Sequence, residues 1–329
     1  MRRHPLIATA VAAGLLAAAC GEDESSAGDT SGDGGPTIAV TTTILGDVVA
    51  SLTGDLAEVE VVMPANADPH EFQPSARQAA AVREADVLVA NGAGFEEGLE
   101  DTIAGAEDDG LVVFEAIEHV ETLEVGDDDH AEEGDDHADD TPEEGDDHGH
   151  EGVDPHFFTD PARVATAAEA LAGFLADEVP ALDTDEFRDH AATYVAELRA
   201  LDGEVEATLA AVPAERRKLV TNHDVFTYFA DRYGFEIVGA VIPSTTTQAA
   251  PSAGEIDELA ATIATEGVPA IFADTSSPAD LADTLADEAG DVAVVELFSE
   301  SLGDAGSGAD TYAGMVRTNA TRISEALAP

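Results

Sequence analysis

A chain of 329 residues, with 70 Asp+Glu against 13 Lys+Arg and a formal net charge of −57, is long enough for one large or two ordinary domains. That charge excludes the phosphate backbone of nucleic acids as a partner, because like charges repel. The single Cys excludes an internal disulfide framework and any Cys-rich zinc module.

At the N-terminus, Arg2 and Arg3 precede an uncharged apolar stretch from Leu6 to Ala19. At about 14 residues it falls short of the roughly 20 that span a bilayer, so an export signal over residues 1–19 is expected. Ala17, Ala18 and Ala19 lead into Cys20 and Gly21, which resembles a bacterial lipoprotein signal. That resemblance implies cleavage before Cys20 and lipidation of its thiol. Residues 20–36 carry no apolar side chain larger than Ala27 beyond the cysteine and read as a flexible tether. No later apolar run is long enough to span, so the body is expected to lie outside the cytoplasm, held to a bacterial membrane by the lipid.

From Thr37 strand and helix signals alternate. TIAVTT (37–42), EVEVVM (58–63), DVLVA (86–90) and LVVFE (111–115) read as strands, with helical patterns at 44–53 and 75–84. The pattern stops at residues 126–151, which hold 14 Asp/Glu with His130, His137, His148 and His150. This segment has no large apolar side chain to bury and is expected to be disordered without metal. The recurring DDDH, DDH and DDH are the composition of a metal tract, a weak collector of cations. Helical patterning resumes at 161–178. Phe187, Ala191, Tyr194, Val195, Leu198, Leu201, Val205 and Leu209 then recur at steps of three and four. They mark one stripe on a single helix of about 25 residues, bracketed by Pro180 and Pro213. A second α/β run follows: KLVTN (218–222), helix 224–233, FEIVGAVI (235–242), helix 254–266, PAIFAD (269–274), helix 278–289, VAVVELF (292–298) and a last helix from about 310. The economical fold is α/β with two lobes, each a mainly parallel sheet with flanking helices. Residues 37–182 would form one lobe, 183–212 the linking helix and 213–329 the other.

Three candidate ligands follow strands: His70 after EVEVVM, His223 after KLVTN and Glu300 after VAVVELF. Open α/β sheets bind ligands beyond the C-terminal ends of their strands. His156 belongs with them because Asp-Pro-His occurs twice, at 68–70 and 154–156, and proline restricts the backbone before each imidazole. His119, in a connector, and His190, on the long helix, read as ordinary surface or hydrogen-bonded residues. Asp274, in FADTSSP, is an acidic alternative to Glu300 whose simpler role is turn chemistry.

DPHEFQPS, DPHFFTDP, TNHDVFTYFADRYGF and LFSESLGDAGSGADTYAGMVRTNATRI, with ADVLVANGAGFEEGL at 85–99, resemble in order the blocks of the metal-specific solute-binding proteins of ABC transporters, the ZnuA/TroA-like family. The resemblance covers roughly residues 37–329. It implies two Rossmann-like lobes, a long and rather rigid linking helix, and a metal held in the inter-lobe cleft. Carried over, His70 and His156 come from the N-terminal lobe, with His223 and Glu300 from the C-terminal lobe. Two departures stand out: many members have Trp where Gly98 stands, and Asp is frequent where Glu300 stands. The resemblance also implies partners, an ABC permease and its ATPase, for a subunit expected to act as a monomer.

Three imidazoles with a carboxylate suit Zn(II) as the transported ligand, whereas manganese sites lean toward oxygen donors. The alternatives are a manganese or iron importer subunit, a zinc hydrolase and a surface adhesin. The hydrolase reading lacks H-E-x-x-H and G-x-S-x-G, and no sequence feature favours adhesion. Without the signal, the tether and the His-rich segment, the rest of the chain keeps a formal charge of about −40. Most of the acidity is therefore a property of the surface, one that relies on salt screening.

Overall fold

Short β-branched strands separated by amphipathic helices leave the chain little choice but parallel pairing, since each return to the sheet requires a crossover. The computed structural model describes residues 35–124, 152–290 and 292–329. In its first half, β1 (Thr37–Val40), β2 (Glu58–Val61), β3 (Val87–Ala90) and β4 (Val112–Glu115) form a sheet of order β2-β1-β3-β4. The crossovers are α1 (Thr43–Thr53), α2 (Ala76–Glu84) and α3 (Glu100–Asp108). Then come α4 (Pro161–Glu178) and α5 (Asp185–Leu209). A second sheet holds β5 (Lys218–His223), β6 (Glu236–Ile242), β7 (Ala270–Asp274) and β8 (Ala293–Leu297) in the order β6-β5-β7-β8. Its crossovers are α6 (Thr227–Tyr233), α7 (Ala253–Glu266) and α8 (Asp280–Ala289), and α9 (Tyr312–Leu327) follows. All pairings within these two sheets are parallel.

The two halves thus repeat one topology. In each, the strand order reverses between the first and third strands, which opens a crevice at their C-terminal ends. The central strands β3 and β7 are buried along their whole length, as expected of sheets covered on both faces.

The helix α5 holds the halves together. Its eight buried residues are the stripe from Phe187 to Leu209 that the sequence spacing predicts. Thr184 caps it, its side chain accepting a hydrogen bond from the Phe187 amide at 3.1 Å. The helix packs against α1, α4 and α9. One hydrophobic core consequently runs from Ile38 and Val89 through Leu198 and Leu201 to Leu219, Phe272 and Ile323. A link that shares its core with both sheets is stiff, because bending it would open a close-packed interior.

Two local features differ from the sequence reading. α3 has too few apolar residues to show a helical period, with only Ala106 buried. The helix expected from 224 begins at Thr227, because the amides of Asp224 and Val225 instead bond to the carbonyls of Ser244 and His223. Residues 1–34, with the signal and Cys20, and the segment carrying His130, His137, His148 and His150 lie outside the described residues. Among the described residues no helix is long and apolar enough to cross a membrane.

Candidate metal centre

The two Asp-Pro-His motifs fold alike. In each, the aspartate Oδ1 accepts a hydrogen bond from the backbone amide of the histidine two residues on, at 2.9 Å for Asp68–His70 and 2.9 Å for Asp154–His156. This is an Asx turn with a proline fixing its middle, so the sequence repeat encodes a clamp rather than proline rigidity alone. The second oxygen of Asp68 and the ring-facing reach of Asp154 then part company. Asp154 Oδ1 also lies 2.7 Å from His156 Nδ1, which orients that imidazole with Nε2 outward. Asp68 Oδ2 instead accepts from Thr247 Oγ1 at 2.7 Å. The His70 ring has a different neighbour: its Nδ1 lies 3.2 Å from Glu97 Oε1, off the line of a hydrogen bond.

The other two groups come from the second sheet. His223 is the last residue of β5, and its carbonyl accepts from Thr221 Oγ1 and the Val225 amide at 2.7 and 2.9 Å. Glu300 follows β8 on a loop held at both sides. Asn319 of α9 bonds both backbone groups of Phe298, and Ser301 Oγ accepts from the Asn66 amide of the first lobe at 2.8 Å.

These supports bring four buried groups to one point. A single oxygen, Glu300 Oε1, lies 2.9 Å from His70 Nε2, 3.0 Å from His223 Nε2 and 3.5 Å from His156 Nε2. All four donor atoms fall within 4.8 Å of one another. The imidazoles meet at steep angles, with ring centroids 5.3–5.8 Å apart. Phe95 stands edge-on to both His70 and His156, closing one side with an apolar wall. The extra methylene of Glu300, relative to Asp, gives it the reach to touch all three rings.

Charge explains why such a cluster is stable. Burial works against the ionised Glu300, yet the imidazoles of His223, His156 and His70 hold its carboxyl well below the usual range. Burial likewise opposes protonation of His156, but Asp154 and Glu300 outweigh it and push that imidazole up to about 9. Four polar atoms of the cluster residues, His70 Nδ1, His156 Nε2, His223 Nδ1 and Glu300 Oε2, are buried without a hydrogen-bond partner. Such atoms are expensive unless something satisfies them. Tetrahedral zinc ligands at ~2.0–2.1 Å from the ion sit ~3.3 Å apart, so these donors reach a cation with sub-ångström to ångström adjustments.

The remaining expected residues stay apart from the four. His119 stacks on Phe114 with centroids 4.4 Å apart, and His190 lies against Gly54. Asp274 is buried behind Glu300, where its carboxylate accepts from the backbone and hydroxyl of Ser276 and from Ser299. Burial first, and Glu300 second, push its carboxyl up to about 6. It serves the turn after β7. Gly98 shows a structural reason for its departure: a Cβ there would fall 2.0 Å from the Phe72 carbonyl oxygen, so the loop after His70 lies where a side chain would need to stand. Sequence reasoning passed over Asp154 as an orienting group, and Glu97, Thr247 and Gln248 altogether. The doubled Asp-Pro-His was the available signal for the first; the others bear no local mark.

Comparison with known proteins fits this geometry. The family model for the periplasmic zinc-uptake complex component A matches residues 38–326. The zinc-binding protein TroA of Treponema pallidum is 32% identical over 305 residues, covering 91% of both chains. The manganese-binding lipoprotein MntA of Halalkalibacterium halodurans is 27% identical over 306 residues, covering 93% of this chain and 92% of its own. The solved structure of T. pallidum TroA superposes with a TM-score of 0.75 at 28% identity, covering 90% of this chain and 100% of that one. Two parallel-sheet lobes with a buried His/Glu cluster between them define a metal-binding solute-binding protein of the ABC-transporter type, a class that binds substrates for transport. The chain belongs to the zinc-uptake complex component A family.

Proposed function

We propose that this protein captures Zn(II) outside the cytoplasmic membrane and hands it to an ABC permease driven by its ATPase. His70, His156, His223 and Glu300 are the ligands in this reading, with zinc as cargo. The observation that carries it is the donor set: three imidazole Nε2 atoms and one carboxylate oxygen at one buried point. Three nitrogens and an oxygen suit a four-coordinate ion with no geometric preference of its own, whereas manganese is better served by oxygen donors. The signal-like N-terminal sequence and Cys20 support a lipid-anchored protein in this role, as do relatives named as lipoproteins. Because nothing happens to the ion beyond ligand exchange, affinity and release are the quantities that matter.

A manganese cargo is the second reading, favoured by the likeness to MntA. Equal concentrations of Zn(II) and Mn(II) presented to the metal-free protein separate the two. Zinc is expected to fill the site with manganese at trace occupancy, as read by metal analysis after desalting. Manganese at half occupancy or more would replace the zinc reading with the manganese one.

A further inference from the structure

The four groups at the centre are held differently. His156 has Asp154, whose carbonyl accepts from Tyr228 of the other lobe, His223 has the β5 backbone, and Glu300 has its neighbours on α9, with Ser301 beside it bonded to Asn66 of the first lobe. His70 is gripped from the opposite lobe at several points. Its Nδ1 faces Glu97 Oε1 at 3.2 Å, and the other oxygen of Glu97 accepts from Gln248 Nε2 at 2.5 Å. Gln248 belongs to the loop after β6, in the opposite lobe. The same amide nitrogen donates to the His70 carbonyl at 2.7 Å, across 178 residues of chain. Both partners are acceptors, which fixes the amide with its nitrogen toward them. One residue earlier, Thr247 donates to Asp68, the aspartate that clamps the His70 backbone. A single two-residue stretch of the C-terminal lobe therefore grips His70 and two groups beside it: its carbonyl, the carboxylate at its ring, and the aspartate of its turn.

We propose that Gln248 is a positioning residue that makes the orientation of His70 depend on closure of the two lobes, acting through Glu97. The inference rests on the metal reading given above. With the lobes together, Gln248 holds Glu97 against Nδ1, and the opposite ring nitrogen points at the ion. When the loop after β6 draws away, Glu97 loses its anchor and is free to turn into solvent, because it is only part-buried. His70 is then the ligand that loosens first, and metal departs from its side of the cluster. Outer partners of this kind change affinity by about 10–100-fold when removed from metal sites.

The test is the rate of zinc release from the full mature protein, followed by stopped flow against excess chelator. Gln248→Ala is expected to speed release about tenfold while leaving zinc association within about twofold. The denaturant midpoint of the metal-free protein should not move, since Gln248 is exposed. Glu97→Gln is expected to speed release similarly, and the double variant to match the faster single one, because the two act in one chain of contacts. Unchanged release in Gln248→Ala, or additive effects in the double variant, would overturn the proposal with the metal reading intact. Wild-type protein that fails to retain zinc at all would overturn both.

Discussion

Replacing His156 with alanine is expected to weaken zinc binding by several hundredfold. Four-ligand zinc sites bind with an apparent ~10–16 kcal/mol, so one ligand of four is worth about 2.5–4 kcal/mol, on the order of 10²–10³-fold. His156 should reach at least that value, because its loss also strands Asp154, a buried carboxylate whose Oδ2 already lacks a partner. Competition against a chromophoric chelator at fixed pH gives the number. His119→Ala and His190→Ala serve as controls. Each removes an imidazole from the same protein but outside the cluster, and neither should shift affinity by more than about twofold. A His156→Ala affinity within threefold of wild type would remove this residue from the site.

The second large effect is on pH. In the metal-free protein His156 is pushed up to about 9 by Asp154 and Glu300 against the opposing burial. At neutral pH it therefore carries a proton on the nitrogen a metal would need, and binding must expel it. The sign follows from that competition: the raised pKa favours the metal-free, protonated state, so affinity falls as pH drops and keeps rising up to about 9. A zinc site built on unperturbed imidazoles would level off near 6.5, the ordinary histidine value and the expectation from sequence alone. From pH 7 to 8.5 a gain of ~30-fold is expected from this group, at about one decade per pH unit. Calorimetry in buffers of differing ionisation enthalpy should count at least one proton released per zinc at pH 7. Asp154→Asn should flatten the profile above neutrality, because the larger of the two groups that raise His156 is gone. Zinc affinity that is level between pH 7 and 8.5 in the wild type would contradict the proposed proton balance.

Much of the architecture was legible in the sequence because it depends on local burial. The stripe on α5 is a row of side chains that all face one core, so spacing alone reveals it. Strand ends were legible for the same reason, and with them the positions of His70, His223 and Glu300. α3 was not, because a short helix that buries little besides one alanine leaves no period to read. At the site, the limit lies in distance along the chain. Asp154 is two residues from His156 and its motif was visible, though its grip on the ring was not. Glu97 and Gln248 act on His70 from other elements and, for Gln248, from the other lobe; neither contact leaves any trace in composition or spacing. Asp274 and Glu300 look equivalent in sequence, each an acid at a strand end. Packing separates them: one is consumed by serine hydroxyls in a turn, while the other faces three imidazoles.

The central claim is that one zinc ion is held by these four residues between the lobes. Diffraction from crystals of the zinc-loaded mature protein, recorded at the zinc absorption edge, tests it directly. One strong anomalous peak is expected ~2.0–2.2 Å from Nε2 of His70, His156 and His223 and from an oxygen of Glu300. Strong peaks confined to other parts of the molecule, with none among these four side chains, would contradict it.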